Sequence, residues 1–300
     1  PMDQTTGYTK ATMNSGKVRN RGIELQLDGT PVKTKNFTWN STFTWAKNYN
    51  KVLSLAAGLT DGQTIAYTGG TNCALIAKVG GSIGDIYGYK LKRAPDGQVV
   101  WKDGITARTT EFEYVGNAYP AWKAGFSNEF SYKNFRVSIL FDGQWGGIVY
   151  SQTHHKMTEH GTLKHTLKYR ENPNFEVVGE GVMLDERGQY VPNNVPISVS
   201  KYYADYWRRA NVETNSFDAS FLKLREARIE YTIPSAGLNK IGIERLTLAL
   251  YGRNLAMWTK DFPVYDPEVA TLNNGTIVPG SEMGQLPSTR TMGFNLTLKF

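Results

Sequence analysis

The last residues, Arg290 to Phe300, put Met292, Phe294, Leu296, Leu298 and Phe300 on one parity and Gly293, Asn295, Thr297 and Lys299 on the other. On a strand these are opposite faces. On a helix the same apolar residues would run all round the cylinder, so the period predicts a strand. Six earlier segments show the same alternation. Ile23, Leu25 and Leu27 oppose Glu24, Gln26 and Asp28. Phe37, Trp39, Phe43 and Trp45 share a parity with Ser41, against Thr38, Asn40, Thr42 and Thr44. Trp122, Ala124, Phe126, Phe130 and Tyr132 oppose Lys123, Gly125, Ser127, Glu129 and Ser131, with Asn128 as a defect on the apolar side. Phe135, Val137, Ile139 and Phe141 oppose Arg136, Ser138 and Asp142, with Leu140 as a defect on the polar side. Ala227, Ile229, Tyr231 and Ile233 oppose Arg228, Glu230 and Thr232, and Leu246, Leu248 and Leu250 oppose Thr247, Ala249 and Tyr251. No helical stripe of comparable length stands out. The chain is predicted to be all-β.

Two all-β architectures fit one oily and one polar face per strand. A soluble β-sandwich turns the oily faces inward. A transmembrane barrel turns them out to lipid. The aromatics favour the barrel: Trp122 and Tyr132 bracket one strand, and Phe135 and Trp145 the next. Ten residues span about 33 Å of strand and, tilted by about 40°, rise about 25 Å, the height of the apolar band between two aromatic girdles. The connections alternate too. Those at 28–37, 132–135 and 234–243 are short, while 48–121 and 143–217 are each about seventy residues and 258–289 about thirty. Short turns at one end and long loops at the other are what an outer-membrane barrel shows, with the long loops outside. Residues 1–17 and the long connections are therefore expected outside, with Phe300 at the periplasmic rim. An odd number of strands cannot close with every pair antiparallel, so the sheet is expected to be an arc of a larger barrel. Two further strands around 85–91 and 109–114 would leave the count odd.

Composition narrows the classes. Of the 300 residues, 40% are hydrophobic and 12% aromatic, with 30 glycines, which excludes a disordered or collagen-like chain. A single cysteine, Cys73, excludes an internal disulfide framework and a cysteine-based metal site. No apolar run is long enough for a spanning helix, and mean hydropathy is −0.42. The net charge of +7 is a mild excess without any run of five Lys/Arg residues, so no nucleic-acid partner is expected. The opening Pro1-Met2-Asp3-Gln4 has no leader-like pattern, as expected of a cytosolic chain, a mature protein or an internal fragment.

Six short motifs then occur in order. They are Asn14-Ser-Gly-Lys-Val-Arg-Asn-Arg-Gly-Ile-Glu-Leu25, Gly81-Ser-Ile-Gly-Asp-Ile-Tyr-Gly-Tyr89, Ser220-Phe-Leu-Lys-Leu-Arg-Glu226 followed by Tyr231-Thr-Ile-Pro234, Gly252-Arg-Asn-Leu-Ala-Met-Trp-Thr259, Tyr265-Asp-Pro-Glu268 and the terminal Phe300. Together they resemble the late strands of SusC-like (SusC/RagA) TonB-dependent outer-membrane transporters. The resemblance implies that 1–300 is the C-terminal portion of a 22-stranded transmembrane β-barrel with long extracellular loops, whose plug and earlier strands lie outside this chain. It further implies active import of oligomeric nutrients, glycan or peptide, across the outer membrane of a Gram-negative bacterium. The implied partners are the rest of the barrel and plug, a SusD-like surface lipoprotein, TonB acting through the missing N-terminal region, and outer-membrane lipid. Met292, Phe294, Leu296, Leu298 and Phe300 would form the barrel-assembly signal and lipid face. Relatives often carry an acidic, glycine-rich stretch before the strand at 121. Here 94–105 holds too few carboxylates for a calcium cage, and no metal is carried over.

The chain offers little covalent chemistry, and no enzymatic activity or cofactor is expected. His154, His155, His160 and His165 lack the spacing of a zinc helix and are expected on an exposed polar loop. Gly80-Gly81-Ser-Ile-Gly84 is followed by no helical pattern, so no phosphate cradle is expected. Asn-x-Ser/Thr sequons at Asn36, Asn40 and Asn295 fall within predicted strands, and that at Asn274 is a bare three-residue match. Substrate contact is expected from aromatic rings in the long loops, because flat rings stack on sugars and peptides. The candidates are Trp145, Tyr150, Tyr206, Trp207, Trp258 and Tyr265. The alternative is a soluble β-sandwich carbohydrate-binding module using such rings.

Overall fold

The computed structural model describes residues 16–56, 59, 62–68, 71–234, 238, 242–268, 271–273 and 276–300. Asn14, Ser15 and Asn274 lie outside the described residues. The dominant element is a seven-stranded antiparallel sheet, every strand paired with its sequence neighbour in the sheet. Its strands are β1 (Gly16–Lys33), β2 (Phe37–Leu55), β3 (Trp122–Tyr132), β4 (Phe135–Trp145), β5 (Phe221–Ile233), β6 (Arg245–Thr259) and β7 (Thr291–Lys299). They contain the seven alternating segments. β1 and β7 do not pair with each other to close a ring: they are the two open edges of an arc.

The hairpin register carries the oily parity unbroken across the sheet. One row runs Leu27, Phe43, Phe126, Phe141, Leu224. A second runs Trp39, Phe130, Val137, Ile229, Leu250, Phe294, and a third Phe37, Tyr132, Phe135, Tyr231, Leu248, Leu296. A slip of one residue in any pair would move a whole row to the other face. No second layer covers these rows. Ile23 is 64% exposed, Leu250 63% and Phe294 78%, where a sandwich would bury all three. The sheet is thus a partial barrel wall, and the sandwich alternative fails on this point.

The turns 34–36 and 133–134 lie at one end of the sheet, where β5 also ends and β6 begins, and the long connections leave from the other. Asn36 sits in the first of these turns rather than in a strand. β1 and β2 are longer than the oily alternation suggested, 18 and 19 residues. The strands expected at 85–91 and 109–114 form as Asp85–Gly88 and Glu113–Asn117, but they pair with each other in a separate four-stranded sheet.

The three long connections interlock into a cap. Val182–Leu184 of the second pairs with Val100–Lys102 of the first. Ile148–Ser151 of the second runs parallel to Ser281–Glu282 of the third. Two short helices pack in the second connection, α1 (Gln152–Glu159) and α2 (Val199–Tyr206). Each starts on a serine whose hydroxyl takes a free backbone N–H: Ser151 from His154 at 3.0 Å, Ser198 from Lys201 at 3.3 Å. The cap has its own core, with Trp101, Tyr202 and Tyr203 in one cluster and Cys73, Ile86, Tyr150 and Val212 in another.

Candidate membrane face and lumen wall

The oily face carries aromatic pairs at two levels. Trp122 and Trp145 are register partners at the cap end, their rings stacked 6.4 Å apart at 9°. Ten residues down the same strands, Tyr132 pairs with Phe135, whose ring lies 4.5 Å from Tyr231. Trp258 continues the upper level on β6, paired with Leu222 and 55% exposed. Among these aromatics and Phe43, Phe126 and Phe141, the small side chains at Ala124 and Gly143 leave a shallow groove of about 390 Å³.

The opposite face is polar and largely charge-paired. Thr42 donates to Asp28 at 2.7 Å, Arg253 meets Glu226 at 2.9 Å, Arg136 approaches Glu129 at 3.7 Å, and Arg228 pairs with Glu230. Toward the cap a β-bulge inserts Arg225, since Leu140 pairs with Glu226 but Phe141 with Leu224. The extra residue reverses the parity of the strand above it. Lys223 therefore faces the polar side while Leu222 and Leu224 join the oily one.

That bulge locks two of the sequence motifs together. Lys223 Nζ contacts Asp266 Oδ1 and Oδ2 at 2.6 and 2.8 Å and also meets Glu268. Arg225 bonds Asp142 at 2.6 Å and Glu268 at 2.6 Å. Burial works against the Asp266 charge, but the Lys223 ammonium, the Ser288 hydroxyl and the Glu268 amide outweigh it and hold the carboxyl below its usual range. Asp266 and Glu268 of the Tyr265-Asp-Pro-Glu motif thus clamp the third connection onto β5.

A second carboxylate, Glu282, is fully buried in the cap. Ser151 donates to it at 2.6 Å, and Thr153, Tyr265 and the Gly284 amide donate as well. Burial opposes its charge, and these hydrogen bonds overcome it and lower its pKa. Burial and the same carboxylate push the Tyr265 phenol up to about 12.

Of the four histidines expected on an exposed loop, His160 is exposed, but the other three are drawn into the cap. His154 and His155 lie on α1, 3% and 5% exposed. His154 Nδ1 meets Asn215 Oδ1 at 2.9 Å, His155 Nδ1 meets the Trp207 carbonyl at 2.8 Å, and His165 Nε2 meets Thr158 Oγ1 at 3.2 Å. The His154 and His165 rings stack at 5.3 Å. Burial lowers all three pKa values, that of His154 to about 4. The reason for the mismatch is local: the Ser151 cap winds 152–159 into a helix, which turns two adjacent histidines into the cap.

The six aromatic candidates do not converge. Trp145 and Trp258 lie on the oily face at the upper aromatic level. Tyr150 is fully buried and donates to the Arg209 carbonyl at 3.3 Å. Tyr206 and Trp207, 4.5 Å apart, pack half-buried on the cap core. Tyr265 is spent on Glu282 and the Gln285 carbonyl. Met292, Phe294, Leu296, Leu298 and Phe300 all remain exposed along the β7 edge. A feature not picked out from the sequence is a polar cleft of about 810 Å³ between β1, β2 and the first connection, lined by Asn20, Glu24, Asn48, Asn117, Tyr119 and Lys123. The signal was there in the asparagines at 20, 48 and 50, which share the polar parity.

No family model matches the chain. It is 24% identical over 333 residues to TonB-dependent receptor P3 of Formosa agariphila, covering 100% of this chain and 30% of the relative. It is 26% identical over 158 residues to TonB-dependent receptor SusC of Bacteroides thetaiotaomicron, covering 49% of this chain and 16% of that protein. Its fold superposes on the RagAB peptide transporter with a TM-score of 0.65 at 19% identity, across 100% of this chain and 31% of the solved one. The chain thus spans less than a third of the length of the curated relatives it matches.

Proposed function

We propose that this chain, similar along its whole length to a TonB-dependent receptor and over about half of it to SusC, forms the C-terminal part of the wall of a SusC-like outer-membrane active transporter. The single observation that supports this most is the continuous oily parity of the seven-stranded arc, uncovered on one side, with every long connection at one end. The missing strands would complete the barrel by pairing with β1 and β7, and the plug would fill its lumen. The transporter would import oligomeric nutrients into a Gram-negative cell, with a SusD-like lipoprotein over the cap and TonB acting through the plug. The chain's part in this is non-enzymatic: a scaffold and a binding wall.

Within that role the aromatic candidates divide. Trp145 and Trp258 serve as membrane girdle, Tyr150 as cap core. Tyr206, Trp207 and Tyr265, partly exposed in the cap, remain the substrate-contact candidates of the six. The polar cleft adds Asn20, Glu24, Asn48 and Lys123 on the lumen side, and amide and charged groups of this kind suit the hydroxyls of a glycan or the backbone of a peptide. The test is expression of the full-length protein. It should fractionate with the outer membrane, require detergent and show heat-modifiable gel migration. A soluble full-length product would end this reading.

A further inference from the structure

Above the oily band the outward face of β1 and β2 changes character. The parity that carries Ile23, Leu25 and Leu27 continues upward as Arg21, Arg19 and Lys17, and that of Phe43 and Trp45 continues as Lys47, Tyr49 and Lys51. Register binds the two runs side by side: Ile23 with Lys47, Arg21 with Tyr49, Arg19 with Lys51. Five cations therefore share one patch of the outer surface at the cap end. None of them lies in an ion pair among the described residues; Lys47 Nζ sits over the Tyr49 ring at 4.8 Å. β2 has no acidic residue, and the acids of β1, Glu24 and Asp28, point to the opposite face.

The height of the patch is set by the same ladder. Ala46 pairs with Lys123, so Lys47 is level with Trp122 and the upper aromatic pair. Each further pair of residues climbs about 5 Å along the normal for a strand tilted about 40°. Arg21, Arg19 and Lys17 thus rise stepwise above the girdle, where the phosphate groups of a bilayer lie. Beside them on the same face, lined by Phe43, Phe126, Trp122 and Trp145, runs the apolar groove at the level of acyl chains. Cations above an apolar groove match an anionic amphiphile and not a free anion.

We infer that this face is a binding site for a phosphate-bearing lipid of the outer leaflet, its headgroup held by Lys17, Arg19, Arg21, Lys47 and Lys51 and one acyl chain lying along the groove. The inference rests on the barrel reading above. Its use would be to fix the register of the wall against the membrane at the cap end, where unpaired cations would otherwise repel one another.

The test reconstitutes the full-length transporter in nanodiscs of phosphatidylcholine alone and of an equal mixture with phosphatidylglycerol. After solubilisation, the lipid retained on the protein is assayed. The wild type should hold phosphatidylglycerol above its share of the mixture. Each cation neutralised should lower that preference about fivefold, and Arg19→Gln/Arg21→Gln/Lys47→Gln/Lys51→Gln should return it to the bulk ratio. Arg19→Lys/Arg21→Lys should keep it. Arg19→Gln/Lys51→Gln, above the membrane band, guards against loss of folding, and Lys33→Gln/Lys133→Gln at the other end removes equal charge without effect. Retention unchanged in the quadruple variant overturns the proposal. So does a variant that keeps the lipid but loses a co-purifying surface lipoprotein, or a wild-type preference abolished by inorganic phosphate at a concentration matching the lipid phosphate. Failure of every form to insert even into phosphatidylcholine would strike the barrel reading itself, and this proposal with it.

Discussion

Lys223 and Asp266 meet in a bidentate ion pair at 2.6 and 2.8 Å, their side chains only 3% and 5% exposed, although 42 residues separate them in the chain. The pair forms only because the bulge at Arg225 turns Lys223 away from the oily face. Removing one partner leaves the other charged and buried, which costs about 3–5 kcal/mol. Lys223→Ala should therefore destabilise the folded barrel by about that much, and Lys223→Met/Asp266→Leu by clearly less. A double-mutant cycle on the unfolding transition of the full-length protein checks this. Additive single costs would show that the pair carries no coupling.

The two faces of β4 give a direct comparison. Ile139 lies on the oily parity midway between Phe135 and Trp145, while Ser138 lies on the polar parity between Glu129 and Arg228. Ile139→Arg should cost about 2–4 kcal/mol, as a cation does at the bilayer midplane, and Ser138→Arg much less. Folded yield in lipid, read by heat-modifiable migration, separates them. Equal losses would count against the assignment of faces.

Acid should loosen the cap before the wall. His154 binds its proton with a pKa of about 4 when folded, against the ordinary 6.5. Between those values the unfolded chain holds more protons, so stability rises with pH through this window. The contribution is complete above 6.5 and is lost as pH falls toward 4, on the order of 3 kcal/mol. His155 and His165 act in the same direction. Protection factors over 152–165, corrected for the intrinsic exchange rate at each pH, should fall between pH 7 and 4.5 while β3–β6 remain protected, and His154→Gln should flatten the response. Uniform protection across that range would refute the account.

Glu282 holds the third connection to the second through Ser151 and Thr153, while Tyr265 and the Gly284 amide steady it from within its own connection. Glu282→Gln keeps the shape but sets an amide against donors that need an acceptor, a cost of about 1–3 kcal/mol. Faster proteolysis within 261–290, with the barrel intact, is the expected readout.

The barrel arc was legible because one physical demand, an unbroken oily face, leaves a period of two in the sequence. Where that demand stops, the pattern fades. The upper halves of β1 and β2 alternate arginine and lysine with asparagine and glycine, so both faces are polar and a hydrophobic reading sees no strand. The cap was illegible for another reason. Its pairings, such as Val182 with Val100, join residues far apart in the chain, and nothing local announces them. The Glu282 site and the buried histidines belong to the same class: residue types visible, surroundings not. Aromatic character near a loop is shared by a ring facing lipid, like Trp258, and one packed in the cap, like Tyr150, so the sequence alone does not separate them.

The extra residue in β5 has a consequence for how this protein can vary. Deleting a single amino acid between 221 and 226 would swing Lys223 into hydrocarbon and aim Leu222 and Leu224 at water, all at once. Side chains there can drift one at a time, whereas the number of residues cannot change without inverting the strand, so length should be held more tightly than identity along this stretch.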